Sequence, residues 1–213
     1  MRTKSILAIF SAILCIGMAI MVAACEKEDN SKIQILEIEI ESNEIEGKGI
    51  ATVKMVIEAC KHSEGIGGIS NVFASVEYKN GDLRLKLPAI PDEYLGEYFW
   101  YDSPNIIPEG VVISVSNVKV GYMYLIARNS KGNQIGSFDF TDDNLSRWDA
   151  SHIYANKDFT IKGTSKNGKV FDCSFKKGWN IIYSKNFGFE FTNHKPLNGN
   201  FKWRYWKDQI YDF

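Results

Sequence analysis

The sequence predicts an all-β protein, an antiparallel β-sandwich or barrel of roughly ten to twelve strands. Beyond residue 32, almost every segment alternates apolar and polar residues with a period of two, which is typical of strands with one buried face. Turn signals separate these segments at regular distances, and no stretch has the 3.6-residue period of an amphipathic helix. Two stacked β modules would satisfy the same pattern.

The first strands are predicted on either side of a strong turn signal. Residues 53–59 place alternate apolar side chains on one face, and residues 72–78 and 83–87 do the same around Asn80-Gly81. An Asn-Gly pair favours a type I′ turn because both central residues of that turn need positive φ. The pattern therefore predicts a β-hairpin from Val72 to Leu87.

The middle of the chain, from Pro88 to Gly110, reads as a long connection. It contains four of the five prolines, which cannot donate a ladder hydrogen bond. After it, residues 118–126 and 135–140 predict a second hairpin around a polar turn. The polar stretch Asp142 to Ser151 predicts a short helix with Asp142 or Asp143 as its cap. Strands resume at Ile153, with turns at Asn167-Gly168 and Lys177-Gly178.

One β domain over residues 33–213 is the favoured organisation. The alternative is two β modules, 33–92 and 110–213, with the Pro-rich connection as their boundary. Without residues 1–24 the chain keeps 189 of its 213 residues. A chain of this length buries about 70% of its unfolded surface, so either organisation can build a core.

The amino-terminal residues indicate export. Arg2 and Lys4 precede 19 uncharged residues, Ile6 to Ala24, which end in small side chains. A retained transmembrane helix is the alternative, because 19 apolar residues can just span a bilayer. The stretch Val22-Ala23-Ala24-Cys25 resembles the bacterial lipoprotein box. That resemblance implies that residues 1–24 are a signal peptide, that Cys25 carries the lipid, and that residues 25–32 are a tether.

The acidic patch after Cys25, "EKED", resembles the surface-export signal of Bacteroidetes lipoproteins, which implies display on the outer face of the outer membrane. A periplasm-facing anchor or a plain solvated tether is the alternative. Loss of Arg2 and Lys4 leaves 23 basic against 26 acidic residues, a net charge of −3. A charge so near zero excludes neither protein nor glycan partners but does not favour nucleic acid. The membrane is therefore the one partner that the sequence indicates directly.

Two of the four cysteines remain after processing and lipidation. Cys60 and Cys173 could form a disulfide in an oxidising compartment. Cys173 alternates with Phe171 and Phe175, which makes a buried free thiol equally natural. No Cys-x-x-Cys pair or His/Cys cluster is present, so no metal site and no cofactor are predicted.

The body of the chain also resembles uncharacterised lipoproteins of gut Bacteroidetes. The resemblance lies in "GKGIATVKMVIEAC", "VEYKNGDLRLKLP", "ANKDFTIKG" and "CSFKKGWNIIY". It implies a β fold and an envelope location, and it implies no reaction. Its Lys-Lys-Gly-Trp-Asn motif reads as a turn, with a strained Gly178, a core anchor in Trp179 and side-chain bonding by Asn180.

A ligand site is predicted among the aromatic residues of the Pro-rich connection. Tyr98, Phe99, Trp100 and Tyr101 are consecutive, and at most about half of them can enter one core if they form a strand. Exposed rings stack on sugars, and Asp102 could accept sugar hydroxyls. The predicted ligand residues are therefore Tyr98, Trp100, Tyr101 and Asp102. The alternative is that these rings plug an open end of the sandwich.

Three functions fit this sequence. A non-catalytic surface module that binds a glycan or another surface component is favoured, and a structural lipoprotein that contacts envelope proteins is the runner-up. A glycan hydrolase is the third, because carboxylates from distant strands could converge. No nucleophile elbow, phosphate loop or His-Glu-x-x-His motif is present, so no enzyme is predicted.

Overall fold

The computed structural model describes residues 37–59, 69–97, 107–142, 148–186 and 188–209. Contacts divide the chain into Met1–Gln34 and Ile35–Phe213, and every described residue belongs to the second unit. Two short 3₁₀ turns, Ser42–Glu44 and Asp92–Tyr94, accompany the strands. The strands are β1 (Glu37–Ile40), β2 (Thr52–Ala59), β3 (Ile69–Glu77), β4 (Leu83–Lys86), β5 (Gly96–Glu97), β6 (Val111–Ile113), β7 (Lys119–Arg128), β8 (Gln134–Asp142), β9 (Trp148–Ala155), β10 (Phe159–Thr164), β11 (Val170–Phe175), β12 (Gly178–Lys185), β13 (Glu190–Thr192) and β14 (Phe201–Lys207).

The predicted all-β fold is confirmed, and the described strands form two sheets. One has two strands, β1 and β4, and the other has twelve. The main path of the large sheet is β3-β2-β7-β8-β9-β12-β13-β11-β10-β6, while β14 pairs with β8 and β5 pairs with β7. All pairings are antiparallel except that of β11 with β13. Because β2 pairs with β7 over Thr52–Glu58, the large sheet contains strands from both sides of the Pro-rich connection. The domain bounds given above stay a prediction.

The predicted hairpin from Val72 to Leu87 is wrong in its pairing. The chain does bend at Asn80-Gly81, but β3 pairs with β2 and β4 pairs with β1. The reason is the backbone conformation of the turn. Gly81 has a φ of +75°, whereas the φ of Asn80 is not positive. A type I′ turn needs both residues in that region, so this turn does not close a two-residue hairpin. The bend instead carries the chain from the large sheet to the small one.

The second predicted hairpin is confirmed, with β7 and β8 joined around residues 129–133. The Asn129 side chain fixes this turn by accepting hydrogen bonds from the backbone N–H groups of Lys131 and Asn133, each at 3.0 Å. The short helix predicted from Asp142 to Ser151 is not observed in the described part of that stretch. Asp142 ends β8, and β9 begins at Trp148. The Asp142 carboxylate does not cap a helix. It accepts a hydrogen bond from the backbone N–H of Asn200 at 2.9 Å.

Two apolar clusters lie on opposite faces of β9. His152 and Tyr154 alternate with Ile153 and Ala155, and all four are buried. Tyr154 packs into a first cluster that includes side chains of the small sheet, and Ile153 and Ala155 pack into a second cluster. The large sheet is therefore covered on both faces along β9, which is why a polar residue on this strand can be enclosed on either side.

The sheet forks where β7, β8 and β9 meet. The amino-terminal part of β7 pairs with β9 as far as Tyr122↔Ile153, and its carboxyl-terminal part pairs with β8 from Leu125↔Phe138. β8 in turn pairs with β9 only at Phe140↔Ala150 and Thr141↔Asp149. The three ladders end around a common gap.

Candidate ligand-binding cleft

A group of aromatic rings covers the large sheet beside this fork. We call it the histidine cluster: Phe140 on β8, His152 on β9, Tyr183 on β12, and Phe201 and Trp203 on β14. His152 stacks on Trp203 with ring centroids 5.2 Å apart and meets Phe140 edge-on at 5.3 Å. Phe201 contacts Phe140 at 5.7 Å and Tyr183 at 4.8 Å. Stacked, tilted and edge-on ring pairs at these distances are all favourable.

His152 is the most unusual member of the cluster. It is 3% exposed, and its Nδ1 has no hydrogen-bond partner within the described residues. Burial lowers the pKa of His152 to about 4, so the imidazole is neutral at neutral pH. A buried polar atom without a partner costs free energy, and such atoms in native proteins often face a ligand or a bound water.

The fork contains a cavity of about 210 Å³. Its walls come from β7, β8, β9 and β14, and they include one acid that its surroundings partly desolvate. That acid is Asp149. The residue is exposed to solvent, yet partial desolvation raises the pKa of its carboxyl. The lining residues are Tyr122, Met123, Tyr124, Phe138, Asp139, Phe140, Thr141, Asp149, Ala150, Ser151, His152 and Trp203.

A larger cleft of about 630 Å³ lies between the small sheet and the histidine cluster. Its floor is aromatic, and its rim carries four carboxylates and one lysine. Because Phe140, His152 and Trp203 line both spaces, the imidazole stands where the fork cavity meets the cleft. The lining residues of this inter-sheet cleft are Glu37, Ile38, Glu39, Glu41, Asp82, Phe140, His152, Ile181, Phe201, Lys202 and Trp203.

Several rim groups already have protein partners. Glu39 pairs with Arg84 at 2.9 Å and Glu41 pairs with Lys202 at 3.6 Å, both near the surface. Asp82 Oδ1 accepts the backbone N–H of Ser42 at 2.9 Å, which fixes the carboxylate at the cleft. These contacts orient the acids and leave further lone pairs on each carboxylate, which can accept up to about four hydrogen bonds.

Glu44 holds the wall of this region to β14. Its carboxylate accepts hydrogen bonds from Arg204 Nη1 at 2.7 Å and from the backbone N–H of Tyr205 at 3.0 Å, and Lys48 Nζ lies 3.4 Å away. Burial opposes ionisation of Glu44, but these donors and the lysine charge together lower the pKa of Glu44 below its usual value. The 3₁₀ turn Ser42–Glu44 is thereby fixed beside the cleft.

The ligand residues predicted from the sequence, Tyr98, Trp100, Tyr101 and Asp102, lie outside the described residues, so that site stays a prediction. The same holds for the lipidated Cys25. Cys173 is 1% exposed and carries a free thiol, and burial raises its pKa to about 12. Its proposed partner Cys60 lies outside the described residues.

The Lys-Lys-Gly-Trp-Asn motif serves the fold, as its sequence indicates. Gly178 has a φ of +104°, and Asn180 Oδ1 accepts the backbone N–H of Lys176 at 2.9 Å. Trp179 is partly buried and donates its Nε1–H to the carbonyl of Pro88 at 2.7 Å. The motif therefore ties the β11–β12 turn to the start of the Pro-rich connection.

Sequence reasoning missed His152 and Trp203 as site residues. His152 has no partner at ligand spacing in the chain, and Trp203 reads as one of three core residues of β14. One signal in the sequence could have pointed to His152. The alternation of residues 152–155 places this titratable side chain on the same strand face as Tyr154, which predicts that it is buried. That signal could not reveal the fork, because the fork depends on where three ladders end.

The described residues contain no group of three or more His, Cys, Asp or Glu side chains that could hold a metal ion. Within the same part of the chain, no helix has both the length and the apolar character needed to cross a membrane. Comparisons of the chain with protein-family models, with curated proteins and with solved structures each find no match. The lipoprotein resemblance therefore stays a prediction from the sequence.

Proposed function

We propose that the protein is a lipid-anchored, non-catalytic binding module of the cell surface, and that a glycan is its ligand. The observation that supports this proposal is the inter-sheet cleft of about 630 Å³, with an aromatic floor and a carboxylate rim. Small-molecule sites are commonly clefts of roughly 300–1,000 Å³ that combine aromatic walls with a few polar groups. The anchor at Cys25 would hold this cleft at the membrane surface.

A sugar ring matches both parts of this cleft. The apolar C–H face of a pyranose can stack on Trp203 or Phe140, as flat rings stack on aromatic side chains. Its hydroxyl groups can donate to Glu37, Glu39 or Asp82, and hydrogen bonds to a charged acceptor are stronger than neutral ones. The aromatic residues of the Pro-rich connection remain a second candidate platform.

The two alternatives have less support from the described residues. An assembly role predicts a continuous apolar surface. Val112 and Val170 are exposed on β6 and β11. Val112 lies opposite Lys162, and Lys162 lies opposite Asp172 on the next strand, so charged residues interrupt this apolar surface. A glycoside hydrolase needs two carboxyl groups placed around the scissile bond, whereas Glu39 and Glu41 on this rim are each held in an ion pair.

Glycan binding by residues 26–213, which retain the whole unit Ile35–Phe213, tests the proposal. We expect a glycan array to give hits whose affinity falls at least about tenfold in Trp203→Ala, since stacking contacts dominate such sites. Trp206→Ala is the matched control, because Trp206 lies on the same strand, is 49% exposed and does not line the cleft.

Trp203→Ala could also weaken folding, so Glu37→Gln provides a second variant on the exposed rim. It keeps the side-chain shape and removes a charged acceptor, and we expect weaker glycan binding with an unchanged melting temperature. Absence of any glycan binding, or equal binding by the protein, Trp203→Ala and Glu37→Gln, would overturn the proposal. Hydrolysis of a bound glycan would replace it with the enzymatic alternative.

A further inference from the structure

The rim of the inter-sheet cleft has an unbalanced charge. Four carboxylates and one lysine line it, and the acids still outnumber the bases four to two when Arg84 is included with its partner Glu39. A cleft with low-dielectric walls focuses the field of such charges and attracts ions of the opposite sign. The cleft should therefore discriminate between ligands of the same shape by their charge.

The aromatic floor of the cleft also favours a positively charged ligand. The faces of Trp and Phe rings carry partial negative charge and attract an ammonium group within about 6 Å of the ring centre. Phe140, Phe201 and Trp203 present three such rings beside the carboxylates. His152 adds no opposing charge, because the buried imidazole is neutral at neutral pH.

His152 is an independent indication that something binds here. Its ring is 3% exposed, lines both the fork cavity and the cleft, and leaves Nδ1 without a partner among the described residues. A neutral imidazole offers one donor and one acceptor, so a hydroxyl or ammonium group of a ligand could complete its hydrogen bonding. An acidic rim alone would be an ordinary solvated surface, whereas a buried histidine that lines the cleft and has an unpaired ring nitrogen is a polar group that a ligand could engage.

We infer that the ligand of the inter-sheet cleft is a cationic sugar, with its protonated amine at the carboxylate rim, its ring face on Trp203 and a polar group hydrogen-bonded to His152. This inference rests on the proposed glycan-binding function and names the class of glycan. The ammonium lies among Glu37, Glu39, Glu41 and Asp82, where it offsets the excess negative charge.

Binding of three sugars of one size separates charge from shape. We expect glucosamine to bind residues 26–213 roughly tenfold more tightly than glucose at low ionic strength, and glucuronic acid to bind more weakly than either. The preference for glucosamine should shrink at high salt, because screening weakens exposed charge interactions. Glu37→Gln should reduce this preference several-fold and change the affinity for glucose less.

Imidazole nitrogen resonances provide a readout at the predicted contact. Addition of glucosamine should shift the ¹⁵N resonances of His152 and leave those of the exposed His194 unchanged. Equal shifts of the two histidines, or no shift of His152 at saturating glucosamine, would overturn the assignment of His152.

The remaining outcomes are distinguishable. Equal affinity for glucose and glucosamine would overturn the cationic preference and leave glycan binding intact. Binding of N-acetyl-lysine methylamide as tightly as glucosamine would overturn the sugar class, because the amine alone would then suffice. Failure of every sugar, on the monosaccharide panel and on the glycan array alike, would overturn the proposed function together with this inference.

Discussion

Two aromatic regions of the same sheet are built in different ways. In the first, which we call the phenylalanine stack, Phe159 lies opposite Phe175 and Phe171 lies opposite Phe191 in the strand registers. Their rings are almost parallel, at 4.4 Å and 10° for the first pair and 5.0 Å and 8° for the second. Cys173, on the same face of β11, is 1% exposed. The register brings these rings together face to face, and Phe159, Phe171 and Phe175 are buried.

The histidine cluster has rings of similar size but encloses empty volume. Phe140 and His152 belong to β8 and β9, whose pairing covers only two residue pairs before the strands diverge. Their rings meet edge-on, at an angle of 65°. The cavity lies where the backbones of β8 and β9 separate. Strands that stay paired bring their rings into direct contact, and strands that diverge leave space for a ligand.

The largest expected effect tests how tightly the phenylalanine stack is packed. Phe175→Ala should lower the free energy of unfolding by about 4 kcal/mol, because it removes a fully buried ring from a filled space. Phe140→Ala is the matched control and should cost about half as much, since its ring is partly exposed beside an existing cavity. Urea unfolding of both variants measures the difference. Equal losses would mean that the two regions are equally well packed.

The second prediction concerns the pH dependence that His152 gives to the histidine cluster. Its pKa of about 4 in the folded protein lies below the ordinary value of 6.5. Between these values the unfolded chain binds the proton more readily, so stability is complete above pH 6.5 and is lost as the pH falls toward 4. The loss should amount to roughly 3 kcal/mol. The charged groups that line the two spaces around His152 are Asp139, Asp149, Glu37, Glu39, Glu41, Asp82 and Lys202.

The difference between the protein and His152→Leu, measured by urea unfolding at each pH, isolates this contribution from that of the surrounding acids. Asp149 acts with the opposite sign, because desolvation raises its pKa and favours its protonated form in the folded state. His194→Leu is the control and should leave the pH profile unchanged, since His194 is exposed. A difference between the protein and His152→Leu that stays constant between pH 6.5 and 4 would contradict the assignment.

The sequence predicted the local parts of these regions well. Alternation placed Phe171, Cys173 and Phe175 on one buried face, and all three are buried. Phe201 and Trp203 likewise alternate along β14, and both belong to the histidine cluster. Alternation is a property of one strand, so it can identify which face is buried without knowledge of the neighbouring strands.

The sequence could not predict which strands would be neighbours. Asn80-Gly81 has the composition of a hairpin turn, yet β3 and β4 pair with different partners in different sheets. The fork, the cavity and the cleft all depend on such long-range pairings. The sequence around a residue such as His152 does not show which strands will pair. Sequence reasoning therefore directed attention to consecutive aromatics, Tyr98 to Tyr101, because consecutive residues are visible without a fold.

The smallest expected effect compares how charge secures the edges of the two regions. Glu44, with a side chain only 13% exposed, binds Arg204 and the backbone of Tyr205 beside the histidine cluster. Asp172, on the opposite face of β11 from the phenylalanine stack, pairs with Lys162 and has a side chain that is 56% exposed. Glu44→Ala should cost about 2 kcal/mol in the free energy of unfolding, because it removes the charge-assisted hydrogen bond to Arg204 and the acceptor of the Tyr205 N–H, both partly buried. Asp172→Ala should cost less than about 1 kcal/mol, as exposed pairs do.

The pH dependence of the free energy of unfolding tests this last comparison further. Because the pKa of Glu44 is lowered in the folded state, its contribution is complete above the usual pKa of glutamate and is lost as the pH falls through the folded value. The difference between the protein and Glu44→Ala in urea should therefore shrink with acid, through a range below that in which His152 acts. If Glu44→Ala and Asp172→Ala cost the same at neutral pH, then the carboxylate contributes no more beside the cleft than on the open surface. The wall of the cleft would then be held by apolar packing alone, as the phenylalanine stack is.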